Sequence, residues 1–510
     1  MKRRGMLHAA AAVLLALTLS GCATLPEGWK PAGDASSAPS ASAPAPAPVT
    51  LTLSYSGEDT FNPYAAKTAV NLYFAGLLYE GLTSFDANLV PQPALAASIT
   101  AADPLKPVAA LRTDARFSDG SVVTAADVAE SFRLAKASAN YAALLANVQS
   151  AQANKDGTVT FTLAARDRNY QACLSFPVLK TGTASAVAPI GTGPYVFRDG
   201  ETPSLAANSH ARTAPATSSI ALKSLSDEAA ILHGLESGMV SFYFSDLTDG
   251  EIPRTSSATM DVPLNYLVFL GFNAKKAGLS EPEVRQALSA AVSRKGLVEA
   301  AFAGRATPAL TPFPSFWGPA VEIKGFAESE NIASAVAQLQ KAGYNTTGGT
   351  VPSGTDKVKT LSLELLVSKG NSFRQAAAQT VKSQLAKAGV EVTVTELAFS
   401  EYESRLRKGQ FDLYIGEVRL TAAMSLRPFF SGGDASWGVA ANSAAAAAYA
   451  QYQAGSVTMQ EFVDAFVKDA PFAPLCWRKG IAAYNRAVSG VSPHALNLYY
   501  RVEKWAVAGK

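Results

Sequence analysis

The chain has 510 residues, 48% hydrophobic and 17% charged, and its 44 Lys and Arg exceed its 41 Asp and Glu by three. Lys2, Arg3 and Arg4 precede Cys22 and no acidic residue does, so from Cys22 onward the formal charge is zero and no broad positive field exists to steer nucleic acid. A length of this order favours two or more lobes over one continuous core, and three cysteines exclude a disulfide scaffold.

The basic start leads into an apolar run from Ala9 to Leu19 and small residues ending at Cys22. This reads as an export signal, since the run falls short of the roughly 20 residues that a bilayer requires. Leu19-Ser20-Gly21-Cys22 resembles the bacterial lipoprotein box, in which the cysteine thiol receives a diacylglycerol and becomes the new N-terminus. Lipidation at Cys22 predicts a chain tethered to the extracytoplasmic face of a membrane, because two acyl chains anchor stably where one does not. From Ala23 to Pro48 the chain is rich in Pro, Ala and Ser, cannot bury apolar surface, and is expected to be a disordered tether.

Order begins where Leu51, Leu53 and Tyr55 alternate with Thr52 and Ser54, a strand pattern. A helix is expected between Ser280 and Phe302, with Ser280 and Glu283 as a capping box and Val284, Ala287, Leu288, Ala291 and Val292 on one core-facing stripe. After Gly304, Phe313, Phe316 and Trp317 alternate with prolines in a loop expected to pack on its own lobe. From Leu361 to Gly416 the pattern is β-α-β-α-β: strand residues to Val367, a helix from Ser372 with Gln375 completing a capping box, alternating Val390, Val392 and Val394, a second box at Ser400 and Glu403, and a strand from Phe411 to Ile415. Ligands in such sheets sit beyond the carboxyl ends of strands, so Gly416 to Thr421 is expected to face a crevice, placing Glu417 and Arg419 there. Solvated charges or an internal ion pair would account for the same residues. Trp437 follows in a glycine-rich loop, where it either stacks on a ligand or packs beneath the loop.

Cys173 and Cys476 fall in segments expected to belong to different lobes and are expected to be free, buried thiols. His210, His233 and His494 lack ligand spacing, so neither metal nor cofactor is expected. The chain contains no His-Glu-x-x-His, Gly-x-Ser-x-Gly, Ser-x-x-Lys or Gly-x-x-x-x-Gly-Lys-Ser/Thr, which argues against an enzyme.

Several stretches carry a family resemblance: Leu78-Tyr79-Glu80-Gly81-Leu82 with Pro93 to Ala96, Phe117-Ser118-Asp119-Gly120 with Thr124 to Val128, and Gly191 to Tyr195. Leu270 to Asn273, Val284 to Leu288 and Gly409 to Leu413 continue it. In order and spacing they resemble the family 5 extracellular solute-binding proteins, the oligopeptide, dipeptide and nickel-binding proteins of ABC importers. The resemblance implies an α/β, two-lobed periplasmic-binding-protein-like fold of type II, with a hinge of two crossing strands and an extra subdomain in the first lobe. Lobe I is placed at 49–80, 187–270 and 484–510, the extra subdomain at 81–186 and lobe II at 271–483; Leu270 to Asn273 and Ala483 to Asn485 are the expected hinge segments.

The implied function is capture of a small solute, a di- or oligopeptide, for a membrane ABC permease, by a monomer that performs no chemistry. A peptide-signal receptor and an exported hydrolase are the alternatives. Candidate ligand-binding residues are Tyr55, Asn62, Tyr266, Asn273, Glu417, Arg419 and Trp437. One departure concerns the ligand: peptide-binding members usually carry, a few residues after the strand matching Phe411 to Ile415, an aspartate that holds the peptide amino group, and here Thr421 stands near that place. Glu417 could supply the carboxylate, or Arg419 could meet an anionic group on a different solute.

Overall fold

Two long antiparallel strands, Ala258–Phe272 and Phe472–Tyr484, run side by side through an eleven-stranded sheet and join its halves. The computed structural model describes residues 50–346, 359–430, 433 and 435–508. The expected signal and tether, residues 1–22 and 23–48, lie outside them.

On one side the long strands border Phe242–Ser245, followed by Thr52–Tyr55 and Ser219–Ser224. On the other side Ala258–Phe272 borders Leu413–Arg419, followed by Ser362–Ser368 and Glu391–Leu397. The register between the long strands shifts between Pro263 and Leu267, beside Tyr266, where pairing with Leu413–Arg419 begins. The segments expected as hinges, Leu270 to Asn273 and Ala483 to Asn485, lie at the far ends of these strands.

The β-α-β-α-β unit is present, with all three strands parallel and helices Ser372–Ala386 and Phe399–Arg407 between them. Its caps differ from expectation. Asn371, one residue earlier, accepts from the Arg374 N–H, while Gln375 turns away to donate to Glu396 at 2.6 Å. The second helix starts after Ala398, whose methyl group offers no acceptor, so Ser400 falls inside the helix and Glu403 pairs with Arg407 one turn on. Nor is Ser280 to Phe302 one helix: Pro282 opens a first helix ending at Ala290, and Ser293 caps a second, Arg294–Phe302. Its expected stripe, Val284 to Val292, is nevertheless fully buried in the core between these helices and the sheet.

Arg294 opens that second helix from inside the core. Its guanidinium donates to the carbonyls of Ala309 and Pro474 and to Ser289 Oγ, so it is fully buried yet satisfied, and burial alone pushes its pKa down to about 9. Phe313 and Trp317 of the proline loop pack inward against each other and Phe462, as expected. Cys173 and Cys476 are free and buried.

A four-stranded antiparallel sheet, Ala96–Thr100, Val108–Leu111, Thr158–Leu163 and Val148–Ala153, is not paired with the large sheet and packs with helix Ala125–Ala137 around a core of its own. Thr124 and Asp127 form a true capping box there, and Phe132, Phe161 and Phe176 meet edge to face in its core. This body falls within the stretch expected as the extra subdomain.

Candidate functional site

Strand Leu413–Arg419 is held against Ala258–Phe272 by a reciprocal fit. Phe269 lies opposite Gly416 and Tyr414 opposite Gly271, and a Cβ on either glycine would sit 2.3 Å and 2.0 Å from the facing ring. The strand runs four residues beyond Ile415, so Glu417 and Arg419 belong to it and, two apart, share one face. They do not lie in a loop, because Val418 and Arg419 keep pairing with Leu267 and Tyr266.

That face carries a compact charged cluster. Arg419 stands directly across from Tyr266 with its guanidinium 5.5 Å from the ring centroid, and Arg478 approaches the same ring at 5.3 Å. The Tyr266 hydroxyl donates to Asp246 Oδ2 at 3.1 Å. Arg478, 2% exposed, donates to Glu417 Oε1 at 2.7 Å and to the Asp246 carbonyl; Arg374 closes on Glu417 Oε2 at 3.6 Å. Glu417 is therefore spent on an internal ion pair.

Arg419 is different. It is exposed, it makes no ion pair among the described residues, and with Tyr266 it lines a cavity of about 880 Å³. The cavity walls come from Tyr73 and Tyr79, from Asn140 and Tyr141 just after helix Ala125–Ala137, from Phe244 and Asp246, from Leu420 to Ala422, and from His494 to Glu503. The charge of Arg419 acts on the phenols of Tyr73, Tyr141 and Tyr266. Burial raises all three phenols, Tyr266 to about 12, so each remains a hydroxyl donor at neutral pH.

Four of the lining residues, Thr192, Asn265, Thr421 and His494, carry a buried polar side-chain atom without a hydrogen-bond partner among the described residues. Asn265 donates through Nδ2 to the Leu420 carbonyl, which leaves its buried Oδ1 without a protein partner among the described residues, and the same is true of Thr421 Oγ1. Glu80, raised by burial above the usual carboxylate range, faces Arg212 at 3.7 Å. His494 accepts at Nδ1 from the N–H groups of Leu496 and Asn497, and burial depresses its pKa to about 4, so it is neutral at pH 7.

Of the seven candidates from the sequence, the structure brings Tyr266 and Arg419 together on the cavity wall. The other five do not line it. Tyr55 stacks on Phe61 at 5.5 Å, Asn62 donates to the Ala184 carbonyl at 2.7 Å, buried Asn273 donates to the Phe411 carbonyl at 2.9 Å, Glu417 is paired, and Trp437 contacts Tyr414 at 6.3 Å. Sequence reasoning missed Tyr73, Tyr141, Asn265 and His494, whose approach depends on strand pairing and chain crossing. No group of three or more His, Cys, Asp or Glu able to hold a metal occurs among the described residues, and no helix there is long and apolar enough to cross a membrane.

Residues 90–436 match the family model of bacterial extracellular solute-binding proteins, family 5, and the chain belongs to that family. It is the solute-binding component of an ABC import system. The oligopeptide-binding protein AppA of Bacillus subtilis is 26% identical over 81% of this chain and 80% of its own length. The glutathione-binding protein GsiB of Escherichia coli O157:H7 is 26% identical over 75% and 74%. Among solved structures, the periplasmic murein tripeptide binding protein MppA, in its unliganded open form, shares the fold at a TM-score of 0.73 and 19% identity, over 91% of this chain and 99% of that one.

Proposed function

We propose that the 880 Å³ cavity is the solute site, that its solute is a short peptide or peptide-like molecule, and that the chain delivers this solute to a membrane permease unaltered. The observation that carries the reading is where the cavity lies. It sits beside the register shift of the two long strands, walled by both halves of the sheet and by the subdomain, so relative motion of these bodies opens or encloses it. Its size suits a ligand of a few residues, and the similarity to AppA and GsiB favours the peptide class. A monomer anchored through lipidated Cys22, with residues 23–48 as spacer, completes the proposal.

Thermal unfolding of the purified chain with trialanine or glutathione tests it. A bound ligand at about 100 times its Kd adds about 2.7 kcal/mol of stability, and Ala422→Trp, which fills the cavity, is expected to abolish the gain. Unchanged melting with both probes, together with no small molecule released on denaturation, refutes the reading. Incorporation of labelled palmitate, lost in Cys22→Ser, is the expected result for the anchor.

A further inference from the structure

The cluster on Tyr266 is not electrically balanced. Three guanidiniums, those of Arg374, Arg419 and Arg478, face two carboxylates, those of Glu417 and Asp246. Glu417 is consumed by Arg478 and Arg374, and the Asp246 carboxylate accepts from the Tyr266 hydroxyl and the Thr248 N–H. The surplus charge is that of Arg419, the one guanidinium of the three that lines the cavity.

An exposed guanidinium is solvated at little cost, but one enclosed with a ligand must find a counter-charge. Arg419 is held for that task. Its register opposite Tyr266 fixes the strand position, the ring supports one face of the guanidinium, and its donor edge is free of protein carboxylates among the described residues. The phenols of Tyr73 and Tyr141 supply further donors around the same charge. Around Arg419 a positive charge and hydroxyl donors converge, while Glu80, Asp86 and Glu503 line the cavity elsewhere.

We infer that the solute presents a carboxylate to Arg419, with Tyr73 and Tyr141 as auxiliary donors, so that the ligand supplies the negative charge that the cluster lacks. The inference rests on the cavity being the solute site.

The test is calorimetric titration of the full chain with trialanine, N-acetyl-trialanine and trialanine amide. Both acids are expected to bind about tenfold or more tighter than the amide, the discrimination expected of one charge-assisted bidentate contact. Arg419→Gln removes that difference, whereas Arg419→Lys retains part of it. Failure of both acids to bind at millimolar concentration overturns the inference. If Ala422→Trp abolishes binding while acid and amide bind the parent equally, the cavity stands and the carboxylate assignment falls. If every probe binds Ala422→Trp as it binds the parent, the cavity reading fails and the inference with it.

Discussion

Arg478 donates to Glu417 at 2.7 Å, with 2% of the arginine side chain and 13% of the glutamate side chain exposed. The pair ties strand Phe472–Tyr484 to strand Leu413–Arg419 across the intervening long strand, since neither is the other's neighbour in the sheet. It also fixes one cation against Tyr266, the ring that Arg419 approaches as well.

Removing one member of such a pair leaves a buried charge uncompensated. Glu417→Gln is therefore expected to destabilise the fold by about 3 kcal/mol. Replacing both members, as in Glu417→Gln with Arg478→Met, is expected to cost less than the single change. Urea unfolding of the three variants measures the difference, and a double variant weaker than Glu417→Gln would contradict it.

The glycine-aromatic fit is the second structural dependency. Gly416→Ala places a methyl group against the Phe269 ring, which is itself clamped edge to face by Tyr414, Phe429 and Phe472. Overpacking here is expected to cost about 2 to 3 kcal/mol. Phe269→Leu in the same chain recovers part of that loss, so the coupling in a double-mutant cycle is favourable. Strict additivity would show that the two side chains do not compete for this space.

What the sequence disclosed follows from which contacts are local. The alternation of Leu363, Leu365 and Val367 with the valines after Gly389 made a parallel unit legible, and the stripe from Val284 to Val292 is core as expected. Caps misled because Asn371 and Ser372 are adjacent and equally able, and only the backbone decides which lies outside the helix. Glu417 looked the same whether solvated or paired, because its partner Arg478 sits on a strand brought near by the sheet. Arg419 was legible as a strand-end charge; the Tyr266 beneath it depends on a cross-strand register that no local pattern encodes.

His494 gives a pH dependence with a definite sign. Its folded pKa of about 4 lies below the unfolded value of 6.5, so the unfolded chain binds the extra proton between these limits. Stability is unaffected above about pH 6.5 and falls as pH drops towards 4, by on the order of 3 kcal/mol at most. Asp86 opposes the shift, and other carboxylates titrate in the same window. The informative quantity is thus the difference between the parent chain and His494→Asn. That difference is expected to be flat above pH 7 and to favour His494→Asn progressively below pH 6; parallel curves would exclude the histidine.

The cavity wall is latched from behind. Leu420 to Ala422 continue into Ala423, whose carbonyl accepts from Asn169 Nδ2 at 3.1 Å, and into Arg427, whose Nη1 donates to Asn147 Oδ1 at 2.7 Å. Both partners belong to the body built around helix Ala125–Ala137, so the segment carrying Arg419 is joined to the opposite wall by contacts that lie outside the cavity lining. Asn147→Ala removes one of them, together with the Asn147 bonds to Ala165, without touching that lining, and loss of the Arg427 contact is expected to weaken the enclosed form by about 1 to 2 kcal/mol. For a ligand held by enclosure, the loss should appear mainly as faster release, with association little changed. Stopped-flow measurement with trialanine reads this directly: roughly tenfold faster dissociation is the expected result for about 1.4 kcal/mol, and an unchanged dissociation rate would mean that the latch is already open whenever solute leaves.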